Sequence, residues 1–524
     1  MSLISQTEAW RTLLHLRDQM RDTRIADLFA AEAGRAETCA LDLGDLYVDF
    51  SRQRVPADVL AALRALGDAA DAPGYLARVA NGEIVNPSED RPALHMAQRG
   101  TRADAVADPV AAAGADERLR AFVSDVHDGR ITSATGVSFR AVVAIGIGGS
   151  ELGPVLALDA LRDNHDLKLD VRVCSNIDGI SFKRAFDGLD PATTLVVVVS
   201  KSFTTMETQA NAERAQRWMR AANGDGWGDA WAANFCAVSA NAEEVRKFGI
   251  AEARTFAMPD GVGGRYSLCS AVGLPVALAF GWEVFSDIRA GARDMDSHAL
   301  AAPVHENAPL TLALLCVWNA SFLGYGAEAC VPYDTRLQRL PGYLQQLEME
   351  SNGKRVSRDG DALDFAAQPV VFGAIGSNAQ HAFFQQLHQG TTTAPVDIAL
   401  PARAPMGDEA MHDLLIASAM AQADALAFGQ DNADEPHRHY PGNRPSTMIV
   451  YDDLTPRMLG KLIALYEHKT VFAAALWGIN AFDQWGVELG KVLSDDILPV
   501  LGEPDRAPGS LAPLLGVLKR MRGA

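Results

Sequence analysis

The chain has 524 residues, of which 48% are hydrophobic and 22% charged, so its composition is that of an ordinary globular protein with room for more than one core. Its formal net charge of −19 argues against a nucleic-acid-binding protein, which would carry a basic surface. Any anionic ligand would therefore need a local positive pocket.

Several sequence features indicate a cytoplasmic protein. The most apolar stretch, from Ala271 to Phe285, is too short and too interrupted for a membrane span, so we expect a core helix there. The segment from Ser2 to Phe29 mixes acids with arginines and does not read as a signal or transit peptide. The cysteines form no C-x-x-C pair, which is typical of buried free thiols in a reducing compartment. They are Cys39, Cys174, Cys236, Cys269, Cys316 and Cys330.

Short apolar strands alternate with helical patterns in two blocks, which predicts an α/β protein of two α/β/α sandwiches with parallel sheets and helical segments at both ends. The predicted strands are 141–147, 171–174, 195–199, 234–238 and 255–258 in the first block, and 330–333, 370–374, 396–400 and 447–451 in the second. We assign 110–286 to a first, smaller sandwich domain, 1–109 with 310–500 to a second, larger one, and 501–524 to a C-terminal tail.

A glycine-rich turn follows the strand at 141–147. It contains Gly146, Gly148, Gly149 and Ser150, and such a turn lets backbone N–H groups approach an anion closely. It fails as a dinucleotide fingerprint because Glu151 stands where the third glycine belongs, and no nucleoside-triphosphate loop motif occurs near it. A tight strand-to-helix turn without a ligand is the structural alternative.

A second candidate anion site follows the apolar strand that begins at Leu195. There Ser200, Lys201, Ser202 and Thr205 offer hydroxyls and a positive charge at the start of a helix. Serine and threonine also cap helices for purely structural reasons. Two such turns at the end of one predicted sheet favour a phosphate monoester as the ligand.

The segment from Leu340 to Lys354 predicts a helix with Pro341 in its first turn and a stop at Asn352-Gly353. Glu350 falls at the carboxyl end, where the helix dipole favours proton uptake by a carboxylate, as a general base requires. A solvated surface group is the alternative.

Residues 377–390 predict one helix that carries His381 and His388. The two histidines would lie about 10 Å apart along its axis, too far to share a metal ion. His437 and His439 also have poor metal spacing, so we predict chemistry without a metal ion.

We expect the helix that starts at Val471 to continue through Lys491. Gln484, Glu488 and Lys491 would then share one polar stripe, which could also be an ordinary solvated Glu-Lys pair.

Taken together, these segments resemble the bacterial glucose-6-phosphate isomerase family. The matching motifs are IGIGGSELG at 145–153, SKSFTT at 200–205, GGRYSL at 263–268, MESNGK at 349–354, QH at 380–381 and FDQWGVELGK at 482–491, with a similar stretch at 86–99. The resemblance implies two sandwiches of the sugar isomerase (SIS) type. It also implies reversible conversion of D-glucose 6-phosphate to D-fructose 6-phosphate, through a cis-enediol, in glycolysis and gluconeogenesis.

The resemblance also implies a role for each matching residue. Glu350 would move the proton between C1 and C2, and Arg265 would stabilise the enediolate. His381 would assist ring opening from the partner subunit of a homodimer, while Lys491 would act near the ring oxygen and O1. The substrate-binding residues would be Gly149, Ser150, Ser200, Lys201, Ser202, Thr205, Gln346 and Gln484.

Three positions depart from the family pattern, namely Ser202, Cys269 and Ala379, where threonine, tryptophan and glycine are common. They bear on rate and sugar specificity. Two rival functions stay open at this point: a non-catalytic sugar-phosphate sensor, and an isomerase that also uses mannose 6-phosphate.

Overall fold

Two β-sheets organise the chain in the computed structural model, which describes residues 3–106, 108–222, 228–501 and 509–523. The chain forms two compact units, Met1–Ala481 and Phe482–Ala524. Both of these sheets belong to the first unit, as does a small two-stranded antiparallel sheet formed by residues 84–86 and 91–92. The strands, numbered in chain order, are β1 Ala40–Asp42, β2 Leu46–Asp49, β3 Ile84–Asn86, β4 Arg91–Pro92, β5 Ala141–Ile145, β6 Asp170–Cys174, β7 Thr194–Val199, β8 Phe235–Ser239, β9 Thr255–Ala257, β10 Ala327–Pro332, β11 Val370–Gly373, β12 Val396–Pro401 and β13 Ser446–Tyr451.

The α-helices are likewise numbered in chain order. They are α1 Glu8–Gln19, α2 Ile25–Ala31, α3 Arg35–Thr38, α4 Ala57–Ala69, α5 Ala72–Ala80, α6 Pro109–His127, α7 Leu152–Leu161, α8 Gly179–Phe186, α9 Met206–Ala222, α10 Ala242–Phe248, α11 Leu274–Phe280, α12 Trp282–Ala301, α13 Ala308–Val317, α14 Leu340–Leu344, α15 Gly376–Gln380, α16 Phe384–Gln389, α17 Glu409–Phe428, α18 Pro456–Trp477, α19 Glu488–Ile497 and α20 Ala512–Met521. Two π-helical segments, Trp318–Phe322 and Gln345–Glu350, follow α13 and α14.

The first sheet is parallel, with the strand order β6-β5-β7-β8-β9. The strands β5 and β7 are buried along their whole length, as expected for strands covered on both faces. Val143 and Val196 point to the face covered by α8, α9 and α10. Helices α7 and α11 pack together, and α11 also contacts β5 and β6. All five strands of the first predicted block are therefore confirmed within a few residues of their bounds.

The second sheet has the order β1-β2-β13-β12-β10-β11. Its four strands from the second predicted block are parallel, and β1 and β2 add an antiparallel edge from the N-terminal region. One face packs against α15, α16 and α17 through Val331 and Ile398. The opposite face carries Glu328, Cys330 and Asp397, which are out of phase with those residues because strand side chains alternate.

Helix α18 is almost entirely buried and packs against α12 and α13. Most of its residues from Met458 to Trp477 are apolar, but it also buries four consecutive polar residues, Glu467, His468, Lys469 and Thr470. Within the described ranges, no helix is long and apolar enough to cross a membrane. All six cysteines are buried and unpaired.

Two helix predictions are wrong. The helix expected to run from Val471 through Lys491 ends at Trp477, because Gly478 adopts a left-handed φ of +68° and caps it. A separate helix, α19, begins at Glu488. The helix expected over 377–390 is two short helices, α15 and α16, separated by a turn at His381.

Candidate functional site

The glycine-rich turn after β5 lies directly against the segment that carries Arg265. A Cβ atom on Gly149 would lie 2.0 Å from the carbonyl carbon of Gly264 and 2.6 Å from the backbone nitrogen of Arg265. Only glycine fits at this approach. Ser150 ends the short 3-10 turn Gly148–Ser150, which leads into α7.

The turn after β7 is organised by its own hydroxyl groups. Ser200 is buried, and its Oγ accepts a hydrogen bond from the backbone N–H of Phe203 and lies 3.4 Å from Thr205 Oγ1. Phe203 has a φ of 55°, a conformation that non-glycine residues seldom adopt and that is common at functional sites. Ser202 Oγ accepts from both the backbone N–H and the hydroxyl of Thr204.

Lys201 extends toward the loop before Arg265. Its Nζ donates to the carbonyl oxygen of Asp260 at 2.7 Å and to that of Val262 at 3.5 Å. Burial lowers the pKa of Lys201, although Asp260 raises it. The amine is therefore fixed at the sheet edge by backbone carbonyls.

The two turns occupy one edge of the first sheet. The strands β5 and β7 are neighbouring parallel strands, with Ile145 opposite Val198, so both turns leave from their carboxyl ends. Ligands of parallel α/β sheets collect at that edge. The amide nitrogen of Gln346 lies 3.0 Å from where a Cβ atom on Gly148 would stand, which links this edge to the π-helical segment.

Arg265 is buried, and its guanidinium group binds Glu350, Ser351 and the backbone of Ala481 among its partners. Its Nη1 donates to Glu350 Oε1 at 2.7 Å, its Nε donates to Ser351 Oγ at 2.6 Å, and its Nη2 donates to the carbonyl oxygen of Ala481 at 2.6 Å. A rigid guanidinium fork suits such a three-way contact, which a lysine could not make. Arg265 therefore orients Glu350.

Glu350 is the last residue of the π-helical segment Gln345–Glu350. Gln346 Nε2 donates to its second oxygen, Oε2, at 3.0 Å, and the side chain remains 23% exposed. The predicted helix through Asn352 is confirmed, but its middle is π-helical, a feature that often marks functional sites. Glu350 is thus held on both oxygens while staying open to solvent.

The sequence did not single out Ser351 and Tyr266 as site residues. Ser351 is fully buried, and its Oγ lies 2.9 Å from the Tyr266 hydroxyl as well as accepting from Arg265. Burial raises the pKa of Tyr266, so its hydroxyl stays neutral. Each is the direct neighbour of a predicted residue, Glu350 or Arg265, and that adjacency was the available signal.

Lys354 hydrogen-bonds to the backbone of the segment that carries Glu350 and Ser351. Its Nζ donates to the backbone carbonyls of Glu350, Ser351 and Asn480, at 3.2, 2.7 and 3.0 Å. A cation on the last carbonyls of a helix is favourable because the dipole is negative there.

His381 belongs to another element, the turn between α15 and α16, after the edge strand β11. Its side chain is exposed, and within the described part of the chain its imidazole makes no hydrogen bond. Of the family departures, Ala379 is buried in the core of the second sheet, and Cys269 is buried with its thiol pKa raised to about 11 by burial.

Gln484 and Lys491 belong to the second unit, residues 482–524. Gln484 precedes the 3-10 turn Trp485–Val487, and Lys491 lies in α19. Lys491 Nζ donates to Glu488 Oε1 at 2.7 Å, and the Lys491 side chain is 62% exposed. The ordinary solvated pair of Glu488 and Lys491, which the sequence left open as the alternative to a shared polar stripe, is present, and the continuous helix is not.

The residues of the first unit form a site with defined chemical capability. A solvent-accessible carboxylate beside a buried guanidinium can take a proton from a carbon acid while the cation stabilises the resulting oxyanion. The neighbouring turns offer hydroxyls, N–H groups and one ammonium to an anionic group of the same ligand. Proton transfer on an anchored phosphate ester is the chemistry that this arrangement suits.

Comparison with known proteins agrees with this assignment. The chain is 43% identical over 518 residues to the glucose-6-phosphate isomerase of Roseiflexus castenholzii, covering 96% of this chain and 95% of the relative. It is 42% identical over 537 residues to that of Caulobacter vibrioides, covering 98% and 99%.

Comparison with a solved structure and with a family model indicates the same family. A crystal structure of a glucose-6-phosphate isomerase from Chlamydia trachomatis superimposes with a TM-score of 0.87 at 33% identity and covers 99% of both chains. The family model for phosphoglucose isomerase matches residues 49–509. The predicted α/β fold is confirmed, and the chain belongs to the phosphoglucose isomerase family.

Proposed function

We propose that this protein interconverts D-glucose 6-phosphate and D-fructose 6-phosphate. It is an aldose-ketose isomerase that acts through a cis-enediol in glycolysis and gluconeogenesis. The observation that carries the proposal is the contact between Glu350 and the buried Arg265 beside two anion-binding turns. The relatives that cover nearly the whole chain are named for the same activity.

Glu350 is the base that moves the substrate proton. Its carboxylate removes the proton from C2 of the aldose and returns it to C1, and the reverse reaction runs the other way. As the proton leaves, negative charge develops on the carbonyl oxygen, and the Arg265 guanidinium stabilises it. Because Arg265 is held by Ser351 and Ala481, it needs little reorganisation as the charge forms.

The phosphate is placed by the two turns of the first sheet. Ser200, Lys201, Ser202 and Thr205 bind its oxygens from one side, and Gly149 with Ser150 from the other. Their role is positioning, since fixing the phosphate sets C1 and C2 before Glu350. Gln346, which already bonds Glu350, contacts the sugar or its phosphate.

The remaining groups complete the site from other parts of the assembly. His381 assists ring opening from the partner subunit of a homodimer. This role is supported by its exposure in a turn after the edge strand β11. Gln484 contacts the substrate, and Lys491 acts near the ring oxygen and O1. No metal or organic cofactor takes part.

The proposed domain division follows the sheets. Residues 110–286 form the smaller sandwich with the phosphate turns, 1–109 and 310–500 form the larger one, and 501–524 form the tail. The protein is cytoplasmic, which is supported by six buried, unpaired cysteines.

A non-catalytic sensor of sugar phosphates is not favoured. Such a protein would need the phosphate-binding turns. It would have no use for the hydrogen bonds that join Arg265 to Glu350 and Ser351. Whether mannose 6-phosphate is also a substrate depends on the shape of the pocket around C2, because glucose and mannose differ in configuration at that carbon.

The proposal is tested by a coupled assay of fructose 6-phosphate conversion after treatment with EDTA, run in parallel on glucose and mannose 6-phosphates. We expect full turnover between fructose and glucose 6-phosphates in the chelator. Absence of turnover, or turnover lost with EDTA and restored by zinc, would overturn it.

A further inference from the structure

A buried group of four charged side chains lies behind the π-helical segment that ends in Glu350. Lys469 Nζ bonds Glu328 Oε1, lies 3.2 Å from Glu348 Oε1 and lies 3.9 Å from Asp397 Oδ2. All four residues are buried. We call them the Lys469 cluster.

The cluster joins four elements of the larger sheet region. Lys469 lies on α18, Glu328 on β10, Asp397 on β12 and Glu348 in the π-helical segment. Since β10 and β12 pair with Cys330 opposite Asp397, the carboxylates of Glu328 and Asp397 share the sheet face toward α18. The cluster therefore ties the base-bearing segment to the sheet.

Among the described residues, the other titratable groups that interact with the cluster most strongly are two cysteines and a tyrosine, and all three are neutral. Burial raises the pKa of Cys316 on α13 and of Cys330 on β10, and it raises the pKa of Tyr466 on α18. The Tyr466 hydroxyl donates to Asp397 Oδ2 at 3.3 Å, and Gln368 Nε2 donates to Glu348 Oε2 at 3.3 Å. The charge of the cluster is thus set by its own four members.

Those four members are unbalanced, because one ammonium faces three carboxyl groups. If all three ionised, two uncompensated negative charges would be buried, which is costly in a protein interior. Burial, reinforced by the neighbouring carboxylates, raises the pKa of both Glu348 and Asp397 to about 7 against the opposing effect of Lys469. The carboxylates meanwhile keep Lys469 protonated, since they raise its pKa against the effect of burial.

Glu348 stands two residues before Glu350 in the same π-helical segment. Glu348 is buried against Lys469, whereas Glu350 bonds Arg265, so the turn between them is fixed at both ends. A charge change at Glu348 alters one of these two fixed points.

We propose that Glu348 is a positioning residue for Glu350, and that the Lys469 cluster keeps the π-helical segment in its active geometry by holding a proton on Glu348 or Asp397. This inference rests on the proposed isomerase function. It adds that loss of that proton weakens the chemical step, whereas binding of the sugar phosphate is left nearly unchanged.

The test compares kcat and KM across pH for the wild type and two variants. Glu348→Gln mimics the protonated carboxyl group, so its kcat should equal the wild-type value within about twofold near pH 6 and exceed it by about threefold near pH 9. KM should stay within about twofold.

The matched control is Asp334→Asn, a buried carboxyl group that is paired with Arg336 at 2.9 Å and lies outside the cluster. Its kcat ratio to the wild type should not vary with pH. A flat ratio for Glu348→Gln, or the same slope in Asp334→Asn, would overturn the inference.

An infrared measurement keeps the test independent of activity. The wild type should show the band of a protonated carboxylic acid near pH 6 that disappears near pH 9, and Glu348→Gln should lack part of it. Absence of that band would contradict the proposal that the Lys469 cluster holds a proton, even if the enzyme is active. If the wild type is inactive but shows the band, the isomerase function is contradicted, whereas the protonation of the Lys469 cluster is supported.

Discussion

The Arg265 guanidinium lies 2.7 Å from one carboxylate oxygen of Glu350, and Gln346 binds the other oxygen at 3.0 Å. Arg265 and Glu350 are 85 positions apart in sequence and come from different elements, the 3-10 turn Gly264–Tyr266 and the π-helical segment. Their contact joins the base of the proposed reaction to the group that stabilises its oxyanion.

Replacing Arg265 by lysine should damage catalysis more than binding. An ammonium keeps the charge but cannot reach Glu350, Ser351 and the Ala481 carbonyl together. We expect kcat to fall about 100-fold with KM changed by less than about threefold. The measurement is steady-state kinetics with fructose 6-phosphate.

The matched control for that variant is Arg336→Lys, another buried arginine that binds Asp334 and Asp453. It should lose thermal stability and keep its kcat. An Arg265→Lys enzyme with nearly normal kcat would show that the guanidinium contacts are dispensable.

Gly149→Ala should separate the phosphate turn from the Arg265 segment. The new Cβ would lie 2.0 Å from Gly264, so the backbone must move. We expect KM for fructose 6-phosphate to rise about tenfold or more. Gly114→Ala is the control, because Gly114 lies in α6 with no atom within 4 Å of the new methyl group. Equal KM values for the two variants would count against the assignment of this turn.

Mixed dimers test whether His381 crosses the interface. Glu350→Gln and His381→Ala should each be nearly inactive alone. If each site combines Glu350 of one subunit with His381 of the other, refolding an equal mixture restores one intact site per mixed dimer. Activity should then reach about a quarter of the wild-type value. No recovery from a mixture proven to contain mixed dimers would place both residues on one chain.

Stability should fall as pH rises through neutrality because of the Lys469 cluster. Burial raises the pKa of Glu348 from its ordinary 4.5 to about 7, so the folded state holds a proton that the unfolded chain releases earlier. The resulting stabilisation is complete below about pH 4.5 and is lost as pH rises through about 7, with a size of about 3 kcal/mol.

This prediction is checked by the midpoint of thermal unfolding. Between about pH 6 and pH 9, the wild type should lose more stability than Glu348→Gln, which has no proton to release at that position. Parallel curves for the two proteins would mean that Glu348 does not titrate in this range.

The sequence predicted much of the local structure around the candidate site. The strand before Ser200 and the glycine turn at Gly149 are local signals, because apolar runs and glycine content report directly on buried strands and close backbone approach. The helix that carries Glu350 was also predicted, but its π-helical form was not. That form depends on tertiary contacts at both ends rather than on local preference.

Other features depend on contacts that no local pattern contains. The bond from Ser351 to Arg265 spans 86 positions, and that from Lys469 to Glu328 spans 141. The strands β1 and β2 have three and four residues, too short to show a period. The helix expected from Val471 to Lys491 was wrong. The helical spacing of apolar residues continues past Gly478, but the left-handed backbone at Gly478 ends the helix.

Exchange of the C2 proton with solvent in Glu350→Gln tests the central claim most directly. The amide keeps the shape and can still accept the Arg265 hydrogen bond, but it cannot remove a proton. The variant should bind a competitive sugar-phosphate analogue within about threefold of the wild type and show at least about a 1,000-fold loss of proton exchange. Exchange at the wild-type rate, or loss of analogue binding equal to the loss of exchange, would contradict the account.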